Sequence, residues 1–463
     1  MKKFFALLLT ATMLISLTAC GSGNTETSST ETTETSSSET TETAEADTTA
    51  EVETETEPEE KEPVTLRFYN YALSETAKAD WWQSTIDNFM AEYDWVTIEP
   101  IVVDYNSMIT TFTNDLASGL SVDMIFGEGS WVSTLAEGGF LAPLDEVVDA
   151  DFYAGYYDFV LEQETYNGEV YGAPLYYSPW ILYVNKDLVE AAGLSMDDFP
   201  TTLDGLKEWN EILAEYYAGD ESITTTLGFT TAEVSATGSC IASVLASFGG
   251  TLVNDDGTLA DMTSDPNLTA MTEMLEFYDY LIDGGYTQEN LKLKDYRASF
   301  GAGNVCMYID QAWGYAQIGE VDANAMDFTV SAPLPTTMGT YGTGASNISI
   351  QNIMVGSGLS ENQLEAVNLF IQYVTSTESL EQYINEVNPA FIAHEGMEDC
   401  ELPSILDGAA TGADNVVSYV PIASLTSVQT QLATMVLNYT VNGMSLEDAI
   451  SDYVTQAEYY INQ

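Results

Sequence analysis

Positive charge is scarce in this chain of 463 residues: 10 Lys and Arg stand against 73 Asp and Glu, for a formal net charge of -63. A surface of that sign repels nucleic acid and anionic lipid, which excludes both as partners, and it slightly favours cationic partners or solutes. Cysteine is rare too. Beyond Cys20 there are only Cys240, Cys306 and Cys400, widely separated and without metal-ligand spacing, so no metal or cofactor is expected. Three cannot all pair, and whether two of them do is left open. Cys306, in the apolar run Val305 to Ile309, reads as a small buried hydrophobe. There is a single histidine, His394, and no G-x-S-x-G element, so nothing marks a nucleophile. Carboxylates are so numerous that a glycosidase-like pair would arise by chance. After the N-terminus no run is long and apolar enough to span a bilayer.

What is present begins with MKKFFALLLTATMLISLTAC, a cationic start at Lys2 and Lys3, an apolar run and small residues before a cysteine. That is an export signal, and its apolar run is shorter than the roughly 20 residues a membrane anchor needs. Its ending, Leu17-Thr18-Ala19-Cys20, resembles the bacterial lipobox. The resemblance implies a signal peptide over 1–20 and lipidation of Cys20, the alternative being a plain secretion signal with an incidental cysteine. Residues 21–62 are nearly all Thr, Ser, Glu, Ala and Gly with no aromatic, too poor in apolar surface to offset ordering entropy. They read as a disordered tether, kept extended by repelling glutamates. The compartment expected is the extracellular face of a Gram-positive cytoplasmic membrane.

About 400 residues remain, too many for one core and comfortable for two domains. Val64 to Tyr69 alternates as a strand; Trp82, Ile86, Phe89 and Tyr93 share one helical face. A strand over Val96 to Val103, a helix marked by Met108, Phe112 and Leu116, and a short strand Asp123 to Phe126 follow. Such alternation in this opening stretch argues an α/β domain with a largely parallel sheet. Asn254-Asp255-Asp256-Gly257 lacks the later ligands of a calcium loop and reads as a hairpin turn.

An ordered series of motifs runs along this body. Leu116-Ala117-Ser118-Gly119 leads into Val122-Asp123-Met124-Ile125-Phe126 and then Leu135 to Asp145 (LAEGGFLAPLD); next come Tyr166 to Leu175 (YNGEVYGAPL), Leu182 to Leu188 (LYVNKDL), Ala192-Gly193-Leu194 and Pro200 to Leu206. Phe300 to Met307, Pro333-Leu334-Pro335 and Glu365 to Ile371 keep step. Each is weak alone, but chance does not preserve order, and together they resemble the extracellular solute-binding protein family 1. The chain departs from the usual pattern at Val122-Asp123, where a proline often precedes the aspartate, and at Val184-Asn185, where a tyrosine often precedes the asparagine. Neither touches the fold; both leave the solute class open.

The resemblance implies a two-lobed periplasmic-binding-protein-like α/β fold with a hinge and an interlobe cleft. The first lobe is expected over 63–174 and 336–386 and the second over 175–335 and 387–463, with crossings near Pro174, Pro333-Leu334-Pro335 and Asn388-Pro389. It implies a monomeric, non-enzymatic substrate-binding lipoprotein of an ABC importer that closes on a small solute, a mono- or oligosaccharide, and hands it to permease subunits. The membrane is touched through the lipid anchor alone. A secreted carbohydrate-active hydrolase and a solute-sensing surface lipoprotein are the rival readings. Sugar clefts pair aromatic faces with carboxylates and amides. Positions after strand ends or in matching cleft loops that fit are Asn70, Tyr71, Glu128, Trp131, Tyr177, Trp180, Asp310 and Trp313, with Asn347 in a Gly- and Ser-rich loop. Trp81, Trp95 and Trp209 are assigned to packing.

Overall fold

A computed structural model of the chain describes residues 61–462 apart from 338–341, 343, 395–399, 414 and 418–419. The signal segment, Cys20 and the tether as far as residue 60 lie outside the described residues. Lys61 is fastened to the body: its ammonium pairs with Glu365 at 2.7 Å and lies 5.9 Å from the Trp95 ring centroid.

The alternating stretch forms β1 (Val64–Asn70), with Leu66 and Phe68 wholly buried. The helix after it, Thr76–Glu92, buries Trp82, Ile86 and Phe89 completely, as their spacing requires. β2 (Val96–Ile101) stops two residues short of the expected strand, and β3 (Met124–Glu128) follows the helix Met108–Ala117. β1 lies between β2 and β3, parallel to both. A small hairpin, β4 (Thr165–Tyr166) with β5 (Glu169–Val170), precedes the long β6 (Gly172–Asn185), whose 14 residues are all buried. Then come β7 (Thr225–Gly228), β8 (Val305–Gln311), β9 (Thr329–Pro333), β10 (Ile348–Val355) and β11 (Phe391–Ile392).

The strands run β2-β1-β3-β10-β6-β8-β7, with β9 and β11 also on β6. β6 is the spine. Its first half pairs antiparallel with β10 and its second half with β8 and β9. Two large apolar cores hang from it. One gathers residues between Leu66 and Tyr176 and between Ile353 and Ile392; the other gathers Trp180 to Leu334 and Leu425 to Ala457. This is a two-lobed α/β fold. The chain first passes between the cores inside β6, so Pro174 lies within a continuous strand, and it returns along β10. A third, smaller cluster around Tyr177, Tyr183 and Tyr308 packs along the crossing strands.

Trp81 joins the first core, Trp95 packs against it, and Trp209 joins the second, where it meets Phe199 edge-on. Cys240 and Cys306 are buried free thiols of the second core. The Asn254–Gly257 turn closes between Val253 and Leu259, with Gly257 at φ +81 accepting the left-handed conformation. His394 bridges to Tyr156 and its Nε2 lies 2.7 Å from the Ala154 carbonyl oxygen.

Candidate functional site

In open α/β sheets ligands gather at the carboxyl ends of parallel strands. β1 and β3 end side by side, and they deliver Tyr71 and Glu128. The Asn70 side chain accepts the Ala72 N–H at 2.8 Å, closing the turn that sets Tyr71. Helix Gly129–Glu137 starts directly after Glu128 and carries Trp131 in its first turn. Gly127 makes room for that indole, since a Cβ there would lie 3.0 Å from it. Tyr71, Tyr105 and Trp131 meet with ring centroids 5.2 to 6.2 Å apart.

Glu128 is the polar centre of this aromatic group. Tyr105 donates its hydroxyl to one carboxylate oxygen at 2.9 Å and Gln351 donates its amide to the other at 3.1 Å. Tyr71 in turn donates to the Gln351 carbonyl oxygen. Burial pushes the Glu128 carboxyl above the ordinary range, opposed by the Tyr105 and Gln351 donors and by Lys78. Lys78 is itself buried, paired with Glu75 at 2.6 Å, its ammonium 5.9 Å from the Tyr71 ring centroid. Burial and the neighbouring Glu128 hold the Tyr71 phenol well above its usual value, so it stays a donor.

The facing wall belongs to the second lobe. Helices Ser235–Ser247 and Leu425–Thr440 present Ser239, Thr426 and Gln429 toward Glu128, Ser130 and Trp131 around a pocket of about 30 Å³. The two helices approach closely because residue 238 is glycine: a Cβ would sit 2.0 Å from the Gln429 carbonyl oxygen. Beyond this pocket two hydrogen bonds tie the lobes, Ser133 Oγ to the Ile422 carbonyl at 2.9 Å and Thr134 Oγ1 to the Ala423 carbonyl at 2.7 Å. On their other side a cavity of about 1350 Å³ opens between Glu137, Asp158 and Glu162 of the first lobe and Asp255, Asp256 and Tyr460 of the second.

The structure therefore brings Tyr71, Glu128 and Trp131 together. Trp313 stands at the far end of the same face: Glu128, Gln351 and Tyr176 are successive cross-strand partners, and Trp313 meets Tyr176 edge-on at 6.3 Å. It belongs to the first core although Cys306, Met307 and Ile309 just before it belong to the second. The remaining candidates line neither cavity. Asp310 is wholly buried, with both oxygens held by Arg297 at 2.6 and 2.7 Å and Tyr308 adding a third bond. Trp180 lies in the second core at 2% exposure, Tyr177 packs against Phe159 and Phe391, and Asn347 is buried ahead of β10. Asn70 acts through its cap.

Sequence reasoning missed Tyr105, Ser130, Gln351, Ser239, Thr426 and Gln429. Two carried a legible signal. Gln351 interrupts the apolar run of β10, and Gln429 sits on the buried stripe of Leu425, Val428 and Leu432, so each is a polar residue where packing alone asks for none.

Residues 73–381 match the model of a family described as bacterial extracellular solute-binding protein. A binding protein of Brucella abortus is 26% identical over 275 residues, covering 57% of this chain and 62% of that protein. The chain thus spans under two thirds of that curated relative. Among solved structures, a solute-binding protein of an ABC transporter from Thermotoga lettingae, bound with α-D-tagatose, is 21% identical at TM-score 0.73, covering 87% of this chain and all of that one. A maltose/maltodextrin-binding domain from Bdellovibrio bacteriovorus, bound to maltotriose, is 15% identical at TM-score 0.72, covering 86% and 100%.

Proposed function

The chain belongs to the bacterial extracellular solute-binding proteins, and from that premise we propose that it captures a mono- or oligosaccharide between its lobes for delivery to the permease subunits of an ABC importer. The observation that carries this reading is the half-buried carboxylate of Glu128 set among Tyr71, Tyr105 and Trp131, faced by the short polar groups of Ser239, Thr426 and Gln429. Aromatic faces suit sugar C–H surfaces, and a carboxylate with short hydroxyls and amides suits sugar hydroxyls. The relatives bound with α-D-tagatose and maltotriose support the same class.

A pocket of about 30 Å³ has room for about one water, whereas small-molecule sites run to roughly 300 Å³ and more. A solute reaching Glu128 must therefore part the helices Gly129–Glu137 and Leu425–Thr440, and the crossing strands β6 and β10 are where the lobes hinge. The lobes we propose, 63–174 with 336–386 and 175–335 with 387–463, meet along the crossing strands, where Tyr176, Ala390 and Ile392 still pack into the first core. The protein acts as a monomer, lipidated at Cys20 on the outer face of a Gram-positive cytoplasmic membrane.

The test is a thermal-shift and calorimetric screen over D-tagatose, maltotriose and related sugars. A solute at a hundred times its Kd stabilises the protein by about 2.7 kcal/mol. With the solute found, Trp131→Ala should weaken binding more than roughly tenfold, because a buried aromatic anchor contributes about 2 kcal/mol. Trp180→Ala should lower the melting temperature and spare affinity, as its ring fills the second core. Sugar turned into product, or a Trp131→Ala variant that binds like the parent, would overturn the reading.

A further inference from the structure

Gln351 is 3% exposed within β10, between the wholly buried Ile353 and Met354 on one side and Ile350 on the other. A primary amide at such a position costs stability unless both its ends are bonded. Both are, and only to residues of the site: Tyr71 donates to the carbonyl oxygen and the amide nitrogen donates to Glu128 Oε1. The direction of this chain is fixed. Tyr71 donates to the Gln351 oxygen and the Gln351 nitrogen donates to Glu128, and the amide turned the other way would set its oxygen against a carboxylate oxygen, acceptor against acceptor. The strand register adds to it, since Gln351 is the direct cross-strand partner of Glu128 on β3 and of Tyr176 on β6. The β6–β10 register slips between Gln351 and Asn352, a bulge of the kind that re-aims side chains.

We propose that Gln351 is the positioning residue of the solute site: its amide, oriented by Tyr71, holds the Glu128 carboxylate in place as an anion ready to accept solute hydroxyl protons. This rests on the reading of Glu128 as a solute contact. The groups around Glu128 are few. Tyr71 and Tyr105 stand beside it, and Lys78 with its partner Glu75 faces it from the start of helix Thr76–Glu92. Tyr176 and Tyr383 lie across the sheet face, and Ser239, Thr426 and Gln429 of the opposite wall do not titrate. Burial raises the Glu128 carboxyl and the Gln351 donor is among the groups that oppose it. Losing that donor lets protonation reach higher pH, and a protonated Glu128 accepts fewer hydroxyl protons.

Two measurements test this with Q351M, which removes both ends of the amide at similar volume. The first needs no solute: melts from pH 4 to 9 of the parent, E128Q, Q351M and the double variant. The stability difference between Glu and Gln at position 128 reports where Glu128 titrates, and its midpoint should rise by about one pH unit in the Q351M background. The second is titration with maltotriose and D-tagatose across the same range, in which Q351M should bind about tenfold more weakly at neutral pH and lose affinity on acidification about one unit earlier. Should Q351M not fold, Tyr71→Phe, which frees the amide to turn, is expected to shift the Glu128 midpoint the same way. An unmoved midpoint overturns the role of Gln351. If neither sugar binds the parent, that reading of the solute fails, while the melts still decide whether Gln351 governs Glu128.

Discussion

Two consecutive residues of β10 each hold a glutamate, Gln351 the half-buried Glu128 on one face of the sheet and Asn352 the buried Glu164 on the other. Asn352 donates its amide to Glu164 at 2.6 Å, and Glu164 is fully buried against Gly172, where a Cβ would come within 1.9 Å of its carboxyl oxygen. The second Glu164 oxygen has no hydrogen-bond partner among the described residues. Burial pushes this carboxyl up to about 8, with Asn352 opposing. The folded state therefore holds a proton that the unfolded chain releases near its ordinary value of about 4.5. Stability from this group is complete below that value and drains away as pH rises toward 8, by about 1.4 kcal/mol per unit at most. Glu164→Gln removes the titration. Denaturant unfolding from pH 5 to 8 should show the parent losing stability relative to the variant, and parallel curves would refute the buried proton. Nothing in the sequence set Glu164 apart from the other acidic residues, because its environment is assembled from strands distant along the chain.

At the scale of elements, legibility followed periodicity. β1, β3 and the helices between them were readable because apolar residues recur at two or at three and four, and a strand end predicts where a ligand-facing loop begins; Tyr71, Glu128 and Trp131, which the structure brings together, were named on that ground. The opposite wall was not. Helices Ser235–Ser247 and Leu425–Thr440 lie about 190 residues apart in sequence and become one surface only because Gly238 lets them touch. Trp180 and Asp310 misled for the same reason: strand-end positions on the crossing strands are sealed by packing and by Arg297. The interlobe tie made by helix Gly129–Glu137 invites a direct test. Ser133→Ala and Thr134→Val each remove one hydrogen bond to the 422–423 segment, worth about 1 kcal/mol. Together they should disfavour closure by up to about thirtyfold, weakening solute affinity and enlarging the radius of gyration seen by small-angle scattering, without touching a residue that lines the Glu128 pocket. Unchanged affinity and scattering would show that these bonds do not hold the lobes.

For the whole molecule, the order of motifs was the most informative feature, since two lobes built from an interleaved chain need the same segments in the same sequence. Exact lobe limits were less legible: the motifs suggested a joint at Pro174, whereas β6 passes from core to core as one strand. The body is fastened at Lys61 by an exposed ion pair with Glu365, which contributes little to stability on its own. Residues 21–60 are too polar to supply an apolar contact to the cleft. A chain shortened to begin at Pro63 should therefore bind solute within about twofold of the parent and melt close to it. Cys20→Ser, leaving the body untouched, should shift the protein from the membrane fraction to the medium with its affinity intact, because one residue would carry the whole anchor. Fractionation with a solute titration on each variant decides the matter. Membrane retention of Cys20→Ser would remove the lipid from the account, and a loss of affinity beyond tenfold in the shortened chain would place part of the site in the tether.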